Sequence, residues 1–366
     1  MIVLNLKLND ICGFHNFEID FTYPKKLVNS IIEGEHLEGR ERFRYKKAVV
    51  LMGPNAAGKT SLGRALRGIF AFINTDDRAP LNEMISGDMP SFSIDFVNHG
   101  YILHRIEAQF IDTRGTLLAY QTAKAEQMDS YEMCIEKLKP VTFSGHESLG
   151  TVFNRENGPI DFRFSYPEIE SSLNLSAIDQ KTLLKTLHAV IGTLDPSLQD
   201  VSISKDLKNT FIIRRKDAEI IIQDGKLLNP ELLSSGTREG IDVAVFLASM
   251  QAGKSGFYYC DEHFSYIQSD IERRIFGLML DRVGKNGQLI FTTHNTDMLD
   301  LNLPKHSYMF LRKRLEEGEY RVSAISASDI LKRNTDSVRC AVENDVFSSL
   351  PDDSLLDGLE EGWSHE

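Results

Sequence analysis

Cysteine is scarce in this chain of 366 residues: Cys12, Cys134, Cys260 and Cys340 stand far apart and form no Cys-x-x-Cys pair. That spacing argues against both a zinc site and a disulfide framework. No run reaches 18 apolar residues, so no segment is long enough to span a bilayer. The opening MIVLNLKLNDICGF alternates in hydropathy and places no basic segment before an apolar one. It does not read as a secretory signal, and a cytoplasmic location is expected. The sequence also lacks a sustained heptad pattern, an internal repeat and a low-complexity linker. A Gly-x-Ser-x-Gly elbow and a second carboxylate cluster with metal spacing are missing too, so neither a serine hydrolase nor a nuclease is expected in this chain.

What is present is ordinary for a folded protein. Hydrophobic residues make up 42% and charged residues 26%, which excludes wholesale disorder. The net charge is −12, but eight acids and no Lys or Arg follow Arg339. The body is therefore close to neutral and does not exclude a nucleic-acid face, while the tail would repel one. Within the body, GRERFRYKK (39–47) carries five basic residues and one acid. It reads as a solvated loop, with a phosphate-backbone contact through Arg40, Arg42 and Arg44 as the alternative.

Hydrophobic periodicity outlines the architecture. IVLNLKL (2–8) and FEIDF (17–21) alternate like a strand pair, and AVVLM (48–52) is a short buried strand leading into a helix over 61–73. Alternating runs within 91–165 predict antiparallel sheet, and IDQKTLLKTLHAVIG predicts a helix ending on a glycine cap. Residues 211–226 read as a hairpin, 238–252 and 271–283 as helices, and 256–260 and 288–292 as buried strands. Helices alternating with apolar strands imply a parallel α/β core in the C-terminal half. The acidic end, 343–366, is expected to be flexible.

Four motifs carry chemistry. Gly53-Pro54-Asn55-Ala56-Ala57-Gly58-Lys59-Thr60 is a complete G-x4-G-K-[ST] between a strand and a helix, with Ser61 following. Its backbone N–H groups and helix N-terminus would cradle phosphate, with Lys59 on the β/γ-phosphates and Thr60 on Mg²⁺. Asp261-Glu262 closes an apolar strand, placing Asp261 to hold the metal and Glu262 to activate water. Thr293-His294 ends the next strand, where His294 would sense the γ-phosphate. Leu233-Ser234-Ser235-Gly236-Thr237 precedes a helix that Ser234 or Ser235 would cap.

In this order the four motifs resemble those of ABC-type ATPases of the soluble SMC/RecF-like branch, over residues 2–315. LSSGT is similar to the family signature, DEHFSYIQ to the Walker B and D-loop segment, and TTHNTDMLD to the switch-histidine segment. TTHNTDMLD together with LSSGT further resembles stand-alone ATPases of abortive-infection, antiphage-defence and toxin–antitoxin modules. The resemblance implies an ATPase head over 1–342 with a mixed or parallel α/β core sheet. A β-rich insertion (about 91–165), a helical signature region (about 168–250) and a Walker B to switch-histidine stretch (256–300) would make up the rest, without a coiled-coil arm.

It also implies ATP and Mg²⁺ as ligands, and a head-to-tail homodimer or higher oligomer. Ser234 and Gly236 of one subunit would then face Lys59, Thr60, Asp261, Glu262 and His294 of the other. A separate effector protein, such as a nuclease, is the expected partner, with DNA as a further one and no membrane. A RecF-like DNA-loading ATPase and an ATP-binding scaffold are the alternatives. Departures from the family pattern are Ser235 for a glycine, Gln268 for a histidine and Cys12 for an arginine. Gln109 is the candidate for the family's metal-contacting glutamine.

Overall fold

In a computed structural model of the chain, the residues described are 1–349, except 27–29, 112–114, 146, 168–172, 174, 176–177, 217, 254–255, 317 and 334. The expected acidic tail lies outside them from residue 350 onward.

The core sheet has the strand order β10-β15-β16-β5-β17-β18. Its members are β5 (Ala48–Met52), β10 (Phe162–Ser165), β15 (Phe257–Asp261), β16 (Gln288–Thr292), β17 (Tyr308–Glu316) and β18 (Glu319–Ser326). All neighbours are parallel except β18, which returns antiparallel on β17. Every residue of β5, β15 and β16 is buried, as expected for strands covered on both faces. Their side chains divide by parity. Val49 and Leu51 face one core, while Val50 and Met52 face another.

On the first face α1 (Lys59–Thr75) lies between the core sheet and an antiparallel sheet of order β2-β1-β6-β7-β8-β9. That sheet comprises β1 (Ile2–Asn9), β2 (Phe17–Asp20), β6 (Ser91–Val97), β7 (Ile102–Phe110), β8 (Thr116–Lys124) and β9 (Lys139–Pro140). Short helices α2 (Ala79–Asn82), α3 (Tyr131–Ile135) and α4 (Leu149–Asn157) close its flanks. On the second face α6 (Ser235–Gln251) and α7 (Ser269–Leu280) pack with α5 (Gln180–Leu194). A four-stranded sheet joins that core: β11 (Leu198–Ile203), β12 (Thr210–Arg215), β13 (Glu219–Gln223) and β14 (Lys226–Leu227). The chain finishes with α8 (Ala327–Ile330) and α9 (Val338–Glu343).

Gln288 clamps the two large sheets together. It is fully buried at the start of β16; its Oε1 accepts from Val3 N–H at 2.8 Å, and its Nε2 donates to the carbonyls of Val3 and Lys46 at 3.1 and 3.0 Å.

Several expectations need correction. The 91–165 stretch is not uniformly antiparallel: it contains α4, and β10 leaves to pair in parallel with β15. Gly192 does not cap α5 but lies inside it. The helix runs on to Leu194, and Asp195 caps it through its own N–H to Ile191 O. The basic run is not a solvated loop. Arg40–Arg44 is strand β4, paired with β3 (His36–Leu37). Lys46 and Lys47 are buried, donating to the carbonyls of Asp20 and Glu33. The packed body also continues past residue 342, because Phe347 is fully buried and stacks on Phe310 with centroids 4.2 Å apart.

Candidate nucleotide site

The loop between β5 and α1 is shaped by backbone conformations that side chains resist. Gly53 has φ +151°, and a Cβ there would stand 2.4 Å from the carbonyl oxygen of Leu311, so only glycine fits. Ala56 (φ +60°) and Gly58 (φ +98°) are also left-handed, and Gly58 caps α1 without a side chain. The first-turn N–H groups of α1 therefore have no capping acceptor and form a positive pole. Pro54 is half-buried, Asn55 and Ala56 are the exposed residues of the loop, Ala57 is buried, and Ser61 continues the first turn of α1. Lys59 is buried. Its Nζ donates to the carbonyls of Gly53 at 2.8 Å and Pro54 at 3.2 Å and lies 3.2 Å from Glu262 Oε1. Burial draws its pKa down, and the Glu262 carboxylate opposes that shift.

The ends of β15 and β16 bring the acids to this loop. Asp261, 1% exposed, accepts from Thr60 Oγ1 on Oδ2 at 2.6 Å and from Thr292 Oγ1 on Oδ1 at 2.7 Å. Burial raises its pKa, and these hydroxyls partly offset the rise. The next residue turns sharply. Glu262 has φ +46° and donates its N–H to Thr292 Oγ1 at 3.0 Å. Its Oε1 also meets His294 Nε2 at 2.9 Å, so one carboxylate oxygen serves both Lys59 and His294. Burial pushes the Glu262 pKa up, yet His294 and Lys59 outweigh it and hold the carboxyl below its usual range.

Thr60 and Asp261 thus supply hard oxygen donors side by side, which suits magnesium. The buried cation and the uncapped helix start suit phosphate. Both fits rest on atoms present in the chain. Among the described residues, no group of three or more His, Cys, Asp or Glu side chains forms a separate metal site.

Residues not singled out from the sequence hold this arrangement. Thr292 links Asp261 to Glu262, and Tyr259 donates its hydroxyl to the Lys59 carbonyl at 2.6 Å. Glu272, buried in α7, accepts from Thr293 Oγ1 at 2.7 Å and Asn295 Nδ2 at 2.6 Å, pinning both sides of His294. One signal was readable: Glu272 sits three residues before Ile275 on the helix face that turns inward.

Gln109 is not part of the cluster. It is half-buried on β7, opposite Ser91 and Leu117, and lines a groove on the antiparallel sheet with Lys7 and Glu18. The strand that ends beside Asp261, away from β16, is β10. There Ser165 pairs with Cys260. Cys12 is half-buried with φ +55°, its thiol pushed up to about 11 by burial against the opposing charge of Arg64. Gln268 caps α7 without a side-chain hydrogen bond.

The signature segment forms its own unit. Ser234 is the N-cap of α6, its Oγ accepting from Thr237 N–H at 3.2 Å, and it is exposed. A Cβ on Gly236 would come within 2.7 Å of the Tyr266 carbonyl, so glycine lets α6 meet the segment that follows Glu262. Glu239 fastens the same contact by accepting from Tyr266 N–H at 3.0 Å. Gly236 thus sits beside Tyr266, while Lys59 bonds to the loop and to Tyr259 of β15, and Asp261 to Thr60 of α1 and Thr292 of β16.

One turn further, burial and then the Glu239 carboxylate push Asp242 from 3.8 up to about 7, with Arg238 opposing. A carboxyl whose folded pKa is raised contributes stability below its unfolded pKa, and that stability is lost as the pH rises through about 7. Asp242→Asn is therefore expected to change little near pH 4 and to stabilise the protein at pH 8, as read by urea unfolding at both pH values.

No protein-family model and no curated protein matches this sequence. Solved structures do. An SMC head bound to the C-winged helix domain of ScpA matches with TM-score 0.53 at 12% identity, covering 90% of this chain and 100% of that one. An Smc head with an extended coiled coil, bound to the C-terminal domain of ScpA derived from Pyrococcus furiosus, gives 0.52 at 11% identity, covering 90% and 98%. The chain has the fold of an SMC head. At these identities the likeness shows the fold alone, with its mixed α/β core sheet, and leaves activity to the site itself. Among the described residues no helix is long enough for a coiled-coil arm: the longest, α1 and α6, have 17 residues each. None is long and apolar enough to cross a membrane.

Proposed function

We propose that the protein is a Mg²⁺-dependent ATPase whose two ATP molecules join two copies head to tail, and that this two-state assembly controls a separate effector protein. The observation that carries the ATPase reading is the convergence of Lys59, Thr60, Asp261, Glu262 and His294 on the ends of three parallel strands. Bound magnesium would neutralise phosphate charge, and Thr60 and Asp261 are the donors placed to hold it. Lys59 binds the terminal phosphates. Glu262, held ionised by His294 and Lys59, accepts the proton of the attacking water, and His294 orients that carboxylate.

The dimer follows from the signature helix. Ser234 and Gly236 stand at the exposed start of a 17-residue helix, an anion site facing outward. A second copy would apply it to the phosphates held by the first. Hydrolysis then separates the copies, so one phosphate biases the state of the pair. The two SMC heads cited above are bound to ScpA domains, which supports a separate protein partner here. Antiphage defence is the setting suggested by the LSSGT and TTHNTDMLD spellings. The DNA-loading alternative loses much of its surface, because Lys46 and Lys47 are buried and Arg40 donates to the Ala125 carbonyl.

Sedimentation of Glu262→Gln with Mg²⁺-ATP tests the assembly. A monomer-to-dimer shift is expected, and Ser234→Arg should abolish it while leaving ATP binding by the monomer intact. A monomer at saturating ATP would overturn the sandwich.

A further inference from the structure

On the second face of the core sheet, α5, α6 and α7 enclose a groove of about 430 Å³. Its floor is apolar: Val190 from α5, Leu247 from α6, and Ile271, Ile275 and Leu278 from α7. Leu278 is 38% exposed. Lys185, Arg274 and Arg282 stand around it. Among the described residues none of these three cations forms a salt bridge, and the one acid lining the groove, Asp270, is engaged by Arg273 at 2.5 Å. Arg282 donates to the Leu278 carbonyl at 3.2 Å, and an apolar floor inside a ring of cations without carboxylate partners among the described residues fits a segment that is apolar on one face and acidic on the other.

The chain carries such a segment. Leu355, Leu356, Leu359 and Trp363 recur at helical spacing, and Asp352, Asp353, Asp357, Glu360 and Glu361 fall between and beside them with no Lys or Arg. The described chain also ends in the core that backs the groove, which holds Phe347 together with Val190, Leu247 and Ile275. Phe347 stacks on Phe310 on the sheet face that α7 covers. The turn Thr296–Asp300 packs against α7 and holds Arg339 of α9 through Asp300 at 2.6 Å. From Ser349, the five residues before Leu355 reach about 17 Å when extended.

We infer that residues 355–363 dock intramolecularly into the α5–α7 groove, with Leu355, Leu359 and Trp363 on its apolar floor and the acids on Lys185, Arg274 and Arg282. Docking would staple α5, whose partner α6 carries the signature serine, to α7, whose Glu272 holds the histidine segment. The inference does not depend on ATP hydrolysis.

Trp363 is the chain's single tryptophan, so its fluorescence reports the docking directly. In the full-length protein its emission is expected to be blue-shifted and its quenching by acrylamide severalfold weaker than in Arg274→Glu/Arg282→Glu. High salt should raise the quenching of the wild type, and Glu360→Lys/Glu361→Lys should restore protection in the charge-reversed background. Circular dichroism checks that each variant is folded, and Lys185→Glu with the salt titration serves if the double variant is not. Emission typical of a water-exposed indole, or quenching unchanged by charge reversal and salt, overturns the inference. Protection lost on dilution assigns the groove to a second copy and overturns the intramolecular form.

Discussion

Replacing Glu262 with glutamine is expected to cut ATP turnover by at least about tenfold, corresponding to ~1.4 kcal/mol of barrier, while ATP binding persists. The substitution keeps the shape and removes only the charge. The amide can still meet His294 and Lys59, so the loop and both strand ends should stay in place. What is lost is the proton acceptor, which the surroundings hold below the usual carboxylate range. Binding has reason to improve, because the carboxylate 3.2 Å from Lys59 competes with phosphate for the same cation. Equilibrium binding of labelled ATP and steady-state phosphate release separate these effects. Unchanged turnover would sink the catalytic assignment and favour a scaffold that binds ATP without needing to hydrolyse it.

The parts of this site legible in the sequence are those whose chemistry is local. Gly53 to Thr60 must be contiguous because one turn of backbone wraps one phosphate group. Asp261, Glu262 and His294 could be placed because each follows a short run of buried strand, and such runs expose their next polar residue at the sheet's C-terminal edge. Gln109 failed for the complementary reason. Its assignment needed to know which strand lies beside β15, and that pairing joins residues almost a hundred positions apart. The neighbour is β10, which the alternating 91–165 pattern concealed among antiparallel strands. Thr292 was missed because it opens the TTHNTDMLD segment as an apparent strand residue, and Glu272 because it belongs to no motif. Their roles appear only once β16 and α7 are packed against the loop.

The basic run shows the same limit from the side of burial. Five cations in nine residues read as a surface, yet Lys46 and Lys47 are inside, each with its ammonium on a backbone carbonyl. Charge counts along a sequence do not register that a long side chain can end on a carbonyl within the fold. The helix limits were better predicted than the caps. Gly192 looked like a terminus because glycine usually ends helices, but α5 continues to Leu194, with Gly192 exposed.

The largest effect on stability is expected at Gln288, whose side chain bonds to Val3 and Lys46 and to none of the candidate site residues. Leucine at this position has similar size but no hydrogen-bonding group, so it would leave the N–H and carbonyl of Val3 and the carbonyl of Lys46 without the side-chain partner they now have. Unpaired buried polar groups cost about 1–3 kcal/mol each. Some relaxation at the β1–β6 irregularity between Val3 and Asn5 will soften the sum. Gln288→Leu should therefore lose roughly 3–5 kcal/mol, a large share of the ~5–15 kcal/mol typical of folded proteins. Gln109→Leu, the same chemical change on a half-buried strand face, should stay within about 0.5 kcal/mol. Urea unfolding of both variants measures the contrast, and hydrogen exchange locates it. If Gln288 clamps the antiparallel sheet to the nucleotide core, exchange should accelerate first in β1 and β5, while α5 and α6 keep their protection. Equal stability of the two variants would mean that the two sheets are held together by their apolar faces alone.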